Sequence, residues 1–507
     1  MKRLALVVSL ALCTAVQAAN VPTCGDWRLT AGAERKGEIL RVALTNATSG
    51  VAGGFIRVDL ARLPALDSGV EFSIKTRGFE IAKPAEHYLG YKFMLKLRNR
   101  KTGARIWPGA GGRLGSFPWT TSTFRLSRAA LDGAPEDYEA ELMLGLQKTT
   151  GVVEFDLSTL AVVPVEPIAP FVNQDLVCAY TPAVARAPRR RGVMSPGRDM
   201  KDEDFATLAE WGATLLRFQI NRGWDAVNDN QDLAEYDRWL ETRLNNLERV
   251  VLPNCARYGM RVVVDLHALP GGRDAAREMN MFYDRRYAEH FVDCWRKIAR
   301  RFRARPEIAG FDLVNEPVQT RTAVPGCDYW TLQLRAAEAV RAVDPETPVI
   351  VESNTWDAAD GFVRLSPLAL TNVVYEVHMY EPFAFTHQGV GRARPDGTFD
   401  RRRYPDAHAG WDKAFIRRRF EPVRKFQLKH QARIYVGEFS AIAWAEGAEM
   451  YLRDVIELCE EYGWDWTYHA FREWQGWSVE HEGGDARSLV PSGDNPRKRA
   501  LLEGFRR

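Results

Sequence analysis

Gly310-Phe311-Asp312-Leu313-Val314-Asn315-Glu316-Pro317 is a short apolar run closed by two polar residues and a proline. Such a run, bounded by chain-redirecting residues, reads as a strand buried on both faces of a parallel sheet. A second stretch, Ile434-Tyr435-Val436-Gly437-Glu438-Phe439-Ser440, has the same grammar and again ends near a glutamate. In a barrel of alternating strands and helices, the carboxyl ends of the strands open into the active-site mouth. Glu316 and Glu438 are therefore the first candidates for chemistry.

Outward from these two runs the pattern repeats. Strands are expected at 192–195, 213–220, 261–266, 308–314, 348–352, 373–379, 433–436 and 464–471. Helix-period stretches fall between them at 205–211, 233–258, 287–303, 329–343, 411–430 and 448–462. Eight strands with intervening helices predict a (β/α)8 TIM barrel, of class α/β, over residues 192–507. No internal repeat and no low-complexity tract interrupts it. The stretch 380–410 is long and lacks a helix pattern, which suits a wall of the cleft.

Residues 25–165 follow a different rule. Runs such as Gly69-Val70-Glu71-Phe72-Ser73-Ile74 and Val152-Val153-Glu154-Phe155-Asp156-Leu157 alternate with period two between turn residues. This predicts an all-β sandwich, bounded here at 19–180. Trp107 and Trp119 either stack on a sugar face or pack in the sandwich core. Residues 181–191, with two prolines and a run of arginines, have the composition of a linker.

The first eighteen residues stand apart. Lys2 and Arg3 precede an apolar run that ends at Val16-Gln17-Ala18, which predicts a signal peptide at 1–18 and a secreted or periplasmic protein. No later run has the length to span a membrane. Loss of Lys2 and Arg3 reduces the formal charge from +3 to +1, leaving no global field for nucleic acid. Six cysteines remain. Cys24 and Cys178 bracket the sandwich and are placed to close it, whereas Cys255, Cys294, Cys327 and Cys459 read as buried thiols or further pairs. Asn228-Asp229-Asn230-Gln231-Asp232 lacks the spacing and glycine of a calcium loop and reads as a loop and helix cap. No metal and no cofactor is expected, and no oligomer is specified.

Polar residues gather at the strand ends: Arg217 on the second, His267 after the third, Asn315 and Glu316 on the fourth. His378 and Tyr380 follow on the sixth, Glu438 on the seventh and Trp474 beyond the eighth. A pair of carboxylates at one mouth is the equipment for cleaving a glycosidic bond. At the spacing a retaining enzyme uses, about 5 Å, the two cannot both ionise easily, so one keeps a proton to donate.

The motifs Leu215-Leu216-Arg217, Val264-Asp265-Leu266-His267, Leu313-Val314-Asn315-Glu316-Pro317, Val377-His378-Met379-Tyr380 and Val436-Gly437-Glu438-Phe439 together resemble glycoside hydrolase family 5, the cellulase-type family. The resemblance covers 192–507 and leaves 19–180 outside it. It implies a retaining hydrolase with Glu316 as acid/base and Glu438 as nucleophile, Glu438 being held by Arg217 and Tyr380. It further implies that Asn315 bonds a sugar 2-hydroxyl and that His267 and His378 line the glycone subsite. The family's tryptophan platform after the eighth strand has several candidates here, with Trp474 favoured and Phe471 the alternative. Trp224, Trp356 and Trp444 follow other strand ends and either form further subsites or pack under loops.

The expected partner is a β-linked polysaccharide or oligosaccharide, foremost β-1,4-glucan, with β-mannan, xyloglucan and short oligosaccharides as alternatives. An inactive carbohydrate-binding surface protein is the reading from another class, and the intact set of polar strand-end residues counts against it. Neither a Gly-x-Ser-x-Gly elbow nor a His-Glu-x-x-His helix is present.

Overall fold

The computed structural model describes residues 19–507 apart from 47–49, 65, 67–69, 86–88, 102, 104, 111–112, 127–130, 132–133, 165–172, 223–229, 275–276 and 391–397. The expected signal peptide and Trp224 lie outside the described residues. The chain forms two compact units that divide between Ile168 and Ala169.

The first unit is a sandwich of two antiparallel sheets. One runs in the order Gly115–Leu126, Val70–Ile81, Gly151–Pro164, Ile39–Leu44, Ala33–Lys36; the other runs Thr23–Leu29, Val51–Val58, Tyr138–Gln147, Gly90–Asn99, Arg105–Ile106. Period-two alternation places Val70, Phe72 and Ile74 of one sheet, and Leu142, Leu144 and Leu146 of the other, in a common core. Phe124 is central to it, its ring 4.8 Å from Phe72 and 4.7 Å from Phe93. Each such buried side chain contributes on the order of 1.5–3 kcal/mol. Trp107 and Trp119 are not in that core: they are 56% and 39% exposed.

The last strand of the sandwich ends at Pro164, not at the expected 180. Residues 173–191 belong to the second unit. The Tyr180 hydroxyl donates to the Val373 carbonyl and accepts from the Arg433 N–H, so the segment is pinned to the barrel where a linker was expected. The Cys178 thiol rests against the Tyr375 hydroxyl at 3.9 Å, and both Cys24 and Cys178 are free thiols. The expected Cys24–Cys178 closure is absent. Cys255, Cys294, Cys327 and Cys459 are buried and unpaired.

The second unit is a closed barrel of eight parallel strands: Arg191–Met194, Leu215–Gln219, Arg261–Asp265, Ile308–Asp312, Val349–Glu352, Val373–Met379, Arg433–Phe439 and Asp465–Tyr468. Asp232 caps the helix Leu233–Asn246 by accepting from the N–H groups of Ala234 and Glu235. Among the described residues no helix is long and apolar enough to cross a membrane.

The barrel interior is layered by the two-residue period of its strands. Leu215, Val263, Ile350, Val374 and Tyr435 form an apolar layer. Two residues farther along, the same strands carry Arg217, Asp265, Glu352 and Glu376, all fully buried, joined by Asp312 from the fourth strand. On the seventh strand the corresponding position is Gly437. A Cβ there would stand 1.4 Å from Glu376 Oε1, so only glycine fits. The pairing with the sixth strand shifts at this point, from Val377 opposite Val436 to His378 opposite Glu438. That one-residue irregularity turns Glu438 inward beside His378.

Candidate active site

Glu316, His378 and Glu438 meet at the mouth of this barrel, each offering an atom within 4.8 Å of the others. His378 Nδ1 lies 2.9 Å from Glu316 Oε1 and 3.7 Å from Glu438 Oε2. Arg217 Nη1 donates to Glu438 Oε1 at 2.6 Å, and the Tyr380 hydroxyl donates to Oε2 at 2.8 Å. Both oxygens of Glu438 are thus fixed, and the side chain is buried. Asn315 is buried as well: Arg217 Nη2 donates to its Oδ1 at 3.0 Å, and its Nδ2 lies 3.2 Å from His267 Nε2. His267 Nδ1 in turn faces Asp265 at 2.9 Å.

The structure therefore brings together Arg217, His267, Asn315, Glu316, His378, Tyr380 and Glu438. Both ring nitrogens of His378 face acids, Nδ1 Glu316 and Nε2 Glu376 at 3.2 Å, so the imidazole lies between the carboxylates.

Glu316 adopts φ +51, in the left-handed region that a non-glycine residue rarely occupies. Three bonds hold it there. Its N–H donates to Glu352 Oε2 at 2.6 Å, and Arg273 Nη2 donates to the carbonyls of Asn315 and Glu316 at 2.9 and 2.8 Å. Such strain persists only where the surroundings over-determine it, and it collects at functional sites.

Beneath the pair lies the charged layer. Arg217 is wholly buried and contacts five carboxylates: Glu438, Asp312 at 2.8 Å, Glu352 at 3.2 Å, Glu376 at 3.3 Å and Asp265 at 3.4 Å. Burial raises the affinity of Asp312, Glu352 and Asp357 for a proton, and neighbouring carboxylates such as Glu376 raise it further, well above the ordinary carboxylate range. Glu438 goes the other way. Burial would raise it, but the field of His378, then His469, Arg217 and His267, outweighs that and keeps it an anion well below the usual range. His378 is raised well above an ordinary histidine despite burial, chiefly by Glu438 and Glu316.

The donors best arranged for a cation are Glu352, Asp357, Glu376 and His378, within 4.8 Å of one another. His378 as an imidazolium has no lone pair to offer, so the group fits shared protons better than a metal.

The supporting acids and Arg273 escape a sequence reading centred on strand ends. Asp265, Asp312, Glu352 and Glu376 do leave a signal, an acid embedded in each of several apolar runs where burial demands a partner. Arg273 leaves none, because it reaches the site from a loop.

The aromatic rim also differs in part. Phe471 is 2% exposed and packs on Trp211 at 5.4 Å, which removes it as a sugar platform. Trp474 is 39% exposed, its ring 6.0 Å from Trp444 and 5.9 Å from Trp477. Trp477 is the nearer of the pair to the acids, 6.3 Å from the Tyr380 ring. Trp444 is mostly buried and donates to the Gln388 carbonyl, while Trp356 is 36% exposed beneath the Arg273 guanidinium.

Comparison with known proteins agrees with this geometry. Residues 190–475 match the family Cellulase (glycosyl hydrolase family 5). Endoglucanase C of Acetivibrio thermocellus is 27% identical over 296 residues, spanning 53% of this chain and 83% of that protein. Cellodextrinase A of Ruminococcus flavefaciens is 28% identical over 246 residues, spanning 48% and 69%. Among solved structures, Thermotoga maritima Cel5A with mannotriose superposes with a TM-score of 0.48 at 23% identity, covering 62% of this chain and 97% of that one. With more than half of its length matched to a family of barrel glycosidases, the chain belongs to glycosyl hydrolase family 5.

Proposed function

We propose that this protein is a secreted, retaining endo-β-1,4-glucanase acting by double displacement. The observation that carries the mechanism is that one carboxylate oxygen of Glu316 lies within 4.8 Å of one of Glu438. A separation near 5 Å lets one carboxylate attack carbon directly, whereas an inverting enzyme needs room for a water between the two. Glu438, kept anionic chiefly by His378 together with Arg217 and held by the Tyr380 hydroxyl, attacks the anomeric carbon and forms a glycosyl-enzyme. Glu316 protonates the departing oxygen, then takes a proton from the water that releases the sugar. His378 Nδ1 holds Glu316 in line between the two steps, and Asn315 lies beside the pair to receive the 2-hydroxyl. The β-1,4-glucan assignment is supported by the relatives, an endoglucanase and a cellodextrinase. The exposed rings of Trp474 and Trp356 suit a chain of several sugars. On the sandwich, exposed Trp107 and Trp119 support a glycan-binding role for that unit.

The test is hydrolysis of an aryl β-cellobioside by the full chain and by Glu438→Ala, with the anomer of the first product read by proton NMR. Retention of the β configuration and near-complete loss in the variant are expected. Inversion, or a variant close to wild type, would sink the mechanism. A product profile on cello- and manno-oligosaccharides decides the sugar.

A further inference from the structure

Every aromatic residue of the eighth-strand segment where a sugar platform is expected is buried: Trp464, Trp466, Tyr468 and Phe471 are each no more than 2% exposed. His469 is the ring of that segment that reaches the site. The backbone N–H of His469 donates to the Phe439 carbonyl at 3.1 Å, which fixes the residue beside the strand end bearing Glu438. Its ring lies 6.1 Å from that of Tyr380, the phenol bonded to Glu438, and 5.6 Å from Trp477. On one side Nε2 faces Glu473 Oε2 at 3.1 Å. The other nitrogen, Nδ1, is buried and has no hydrogen-bond partner among the described residues. A buried polar atom left without a partner is costly unless something bound supplies one.

We propose that His469, anchored by Glu473, is a substrate-orienting residue that donates from Nδ1 to a hydroxyl of the sugar seated against Glu438. This deepens the glycosidase reading and rests on it. The pair replaces a flat apolar platform with a directed, charged donor. With Nε2 turned to the Glu473 carboxylate as an ion pair at 3.1 Å, a proton on Nδ1 as well makes the ring an imidazolium. Burial opposes that form, but Glu473 and then Glu438 raise the affinity of His469 for its proton above the ordinary histidine value.

The test compares His469→Phe, which supplies a platform ring without a donor, with His469→Gln, which keeps an N–H donor without the ring. Both are assayed in the full chain on an aryl β-cellobioside, with Kd for cellobiose from titration calorimetry and Tm as a check on folding. Loss of a charge-assisted bond predicts a fall of about ten- to a hundredfold in kcat/KM for His469→Phe, and a clearly smaller one for His469→Gln. Glu473→Gln lowers the affinity of the imidazole for its proton, so the alkaline limb of the pH–rate profile moves to lower pH. Wild-type kinetics and Kd in His469→Phe would overturn the proposal in favour of stacking. Equal losses in the Phe and Gln variants, or an unmoved alkaline limb, would also overturn it. Failure of the catalytic reading is recognised separately, by hydrolysis surviving in Glu438→Ala, and the Kd comparison decides His469 in that case too.

Discussion

The backbone N–H of Glu316 is bonded to the side chain of Glu352 at 2.6 Å, so a carboxylate on the fifth strand sets the conformation of the residue that ends the fourth. Glu352 is itself wholly buried and tied to Arg217, and its own backbone N–H donates to Gln333 Oε1 at 2.8 Å. Position and strain at Glu316 are thus fixed from below. Glu352→Ala leaves a buried N–H without an acceptor and should cost about 1–3 kcal/mol. A small displacement of Glu316 should also cut kcat on the order of 100-fold. Glu352→Gln keeps an oxygen for the N–H and should retain most of the stability. Urea unfolding and steady-state kinetics on both variants check this; equal behaviour of the two would show that the bond does not position Glu316.

Arg217 makes a second case. Five carboxylates face one buried guanidinium, and its fork reaches several of them at once. Removing the cation strands buried acids, a loss of about 3–5 kcal/mol. Arg217→Met should therefore fail to give folded protein. Arg217→Lys, with a charge but no fork, should fold with a lowered Tm and lose most of its activity, as read by circular dichroism and an aryl-glycoside assay.

Much of this was legible in the sequence, for identifiable reasons. Buried parallel strands are continuous apolar runs, and a glutamate at the end of one is conspicuous; Glu316 and Glu438 stood out on that basis. The inward turn of Glu438 was not legible, because it depends on a one-residue shift beside Gly437, and such a shift leaves no periodic trace. His469 was hidden by its neighbours: a segment crowded with tryptophan and tyrosine suggests several platforms, and only burial separates core rings from the one at the site. The boundary at 180 was misplaced because Tyr180 and its neighbours have linker composition, while the bonds that pin them come from Val373 and Arg433, remote in sequence.

The buried acids predict a pH dependence of stability. Asp312, Glu352 and Asp357 have raised proton affinity in the folded state. Between the ordinary carboxylate range, about pH 4, and those raised values, the native state binds more protons than the unfolded chain, so stability falls as pH rises. His378, also raised, adds a contribution present below about pH 6.5 and lost at higher pH. Glu438 is depressed and acts oppositely, but only as pH falls below its ordinary value. Urea midpoints should therefore be higher near pH 5.5 than near pH 8.5, and Glu352→Gln should narrow the difference. A midpoint that rises with pH across this range would contradict the assignment.

Tyr380 isolates the contribution of one hydrogen bond to the nucleophile. Its hydroxyl donates to Glu438 Oε2 at 2.8 Å, and burial followed by the charge of Glu438 raises its own affinity for the proton, so it stays a donor throughout the working range. The ring meets His387 at 4.9 Å and Trp477 at 6.3 Å, contacts that Tyr380→Phe preserves. The variant should therefore keep its Tm within a few degrees while losing a bond to a charged group, worth about 1.5–3 kcal/mol. That corresponds to a fall of roughly ten- to a hundredfold in kcat/KM. Because a carboxylate with one fewer donor is more basic, the acid limb of the pH–rate profile should move to higher pH. Steady-state kinetics from pH 4 to 8 would read both effects. An unchanged acid limb would mean that Tyr380 serves the substrate and leaves the ionisation of Glu438 to Arg217 and His378.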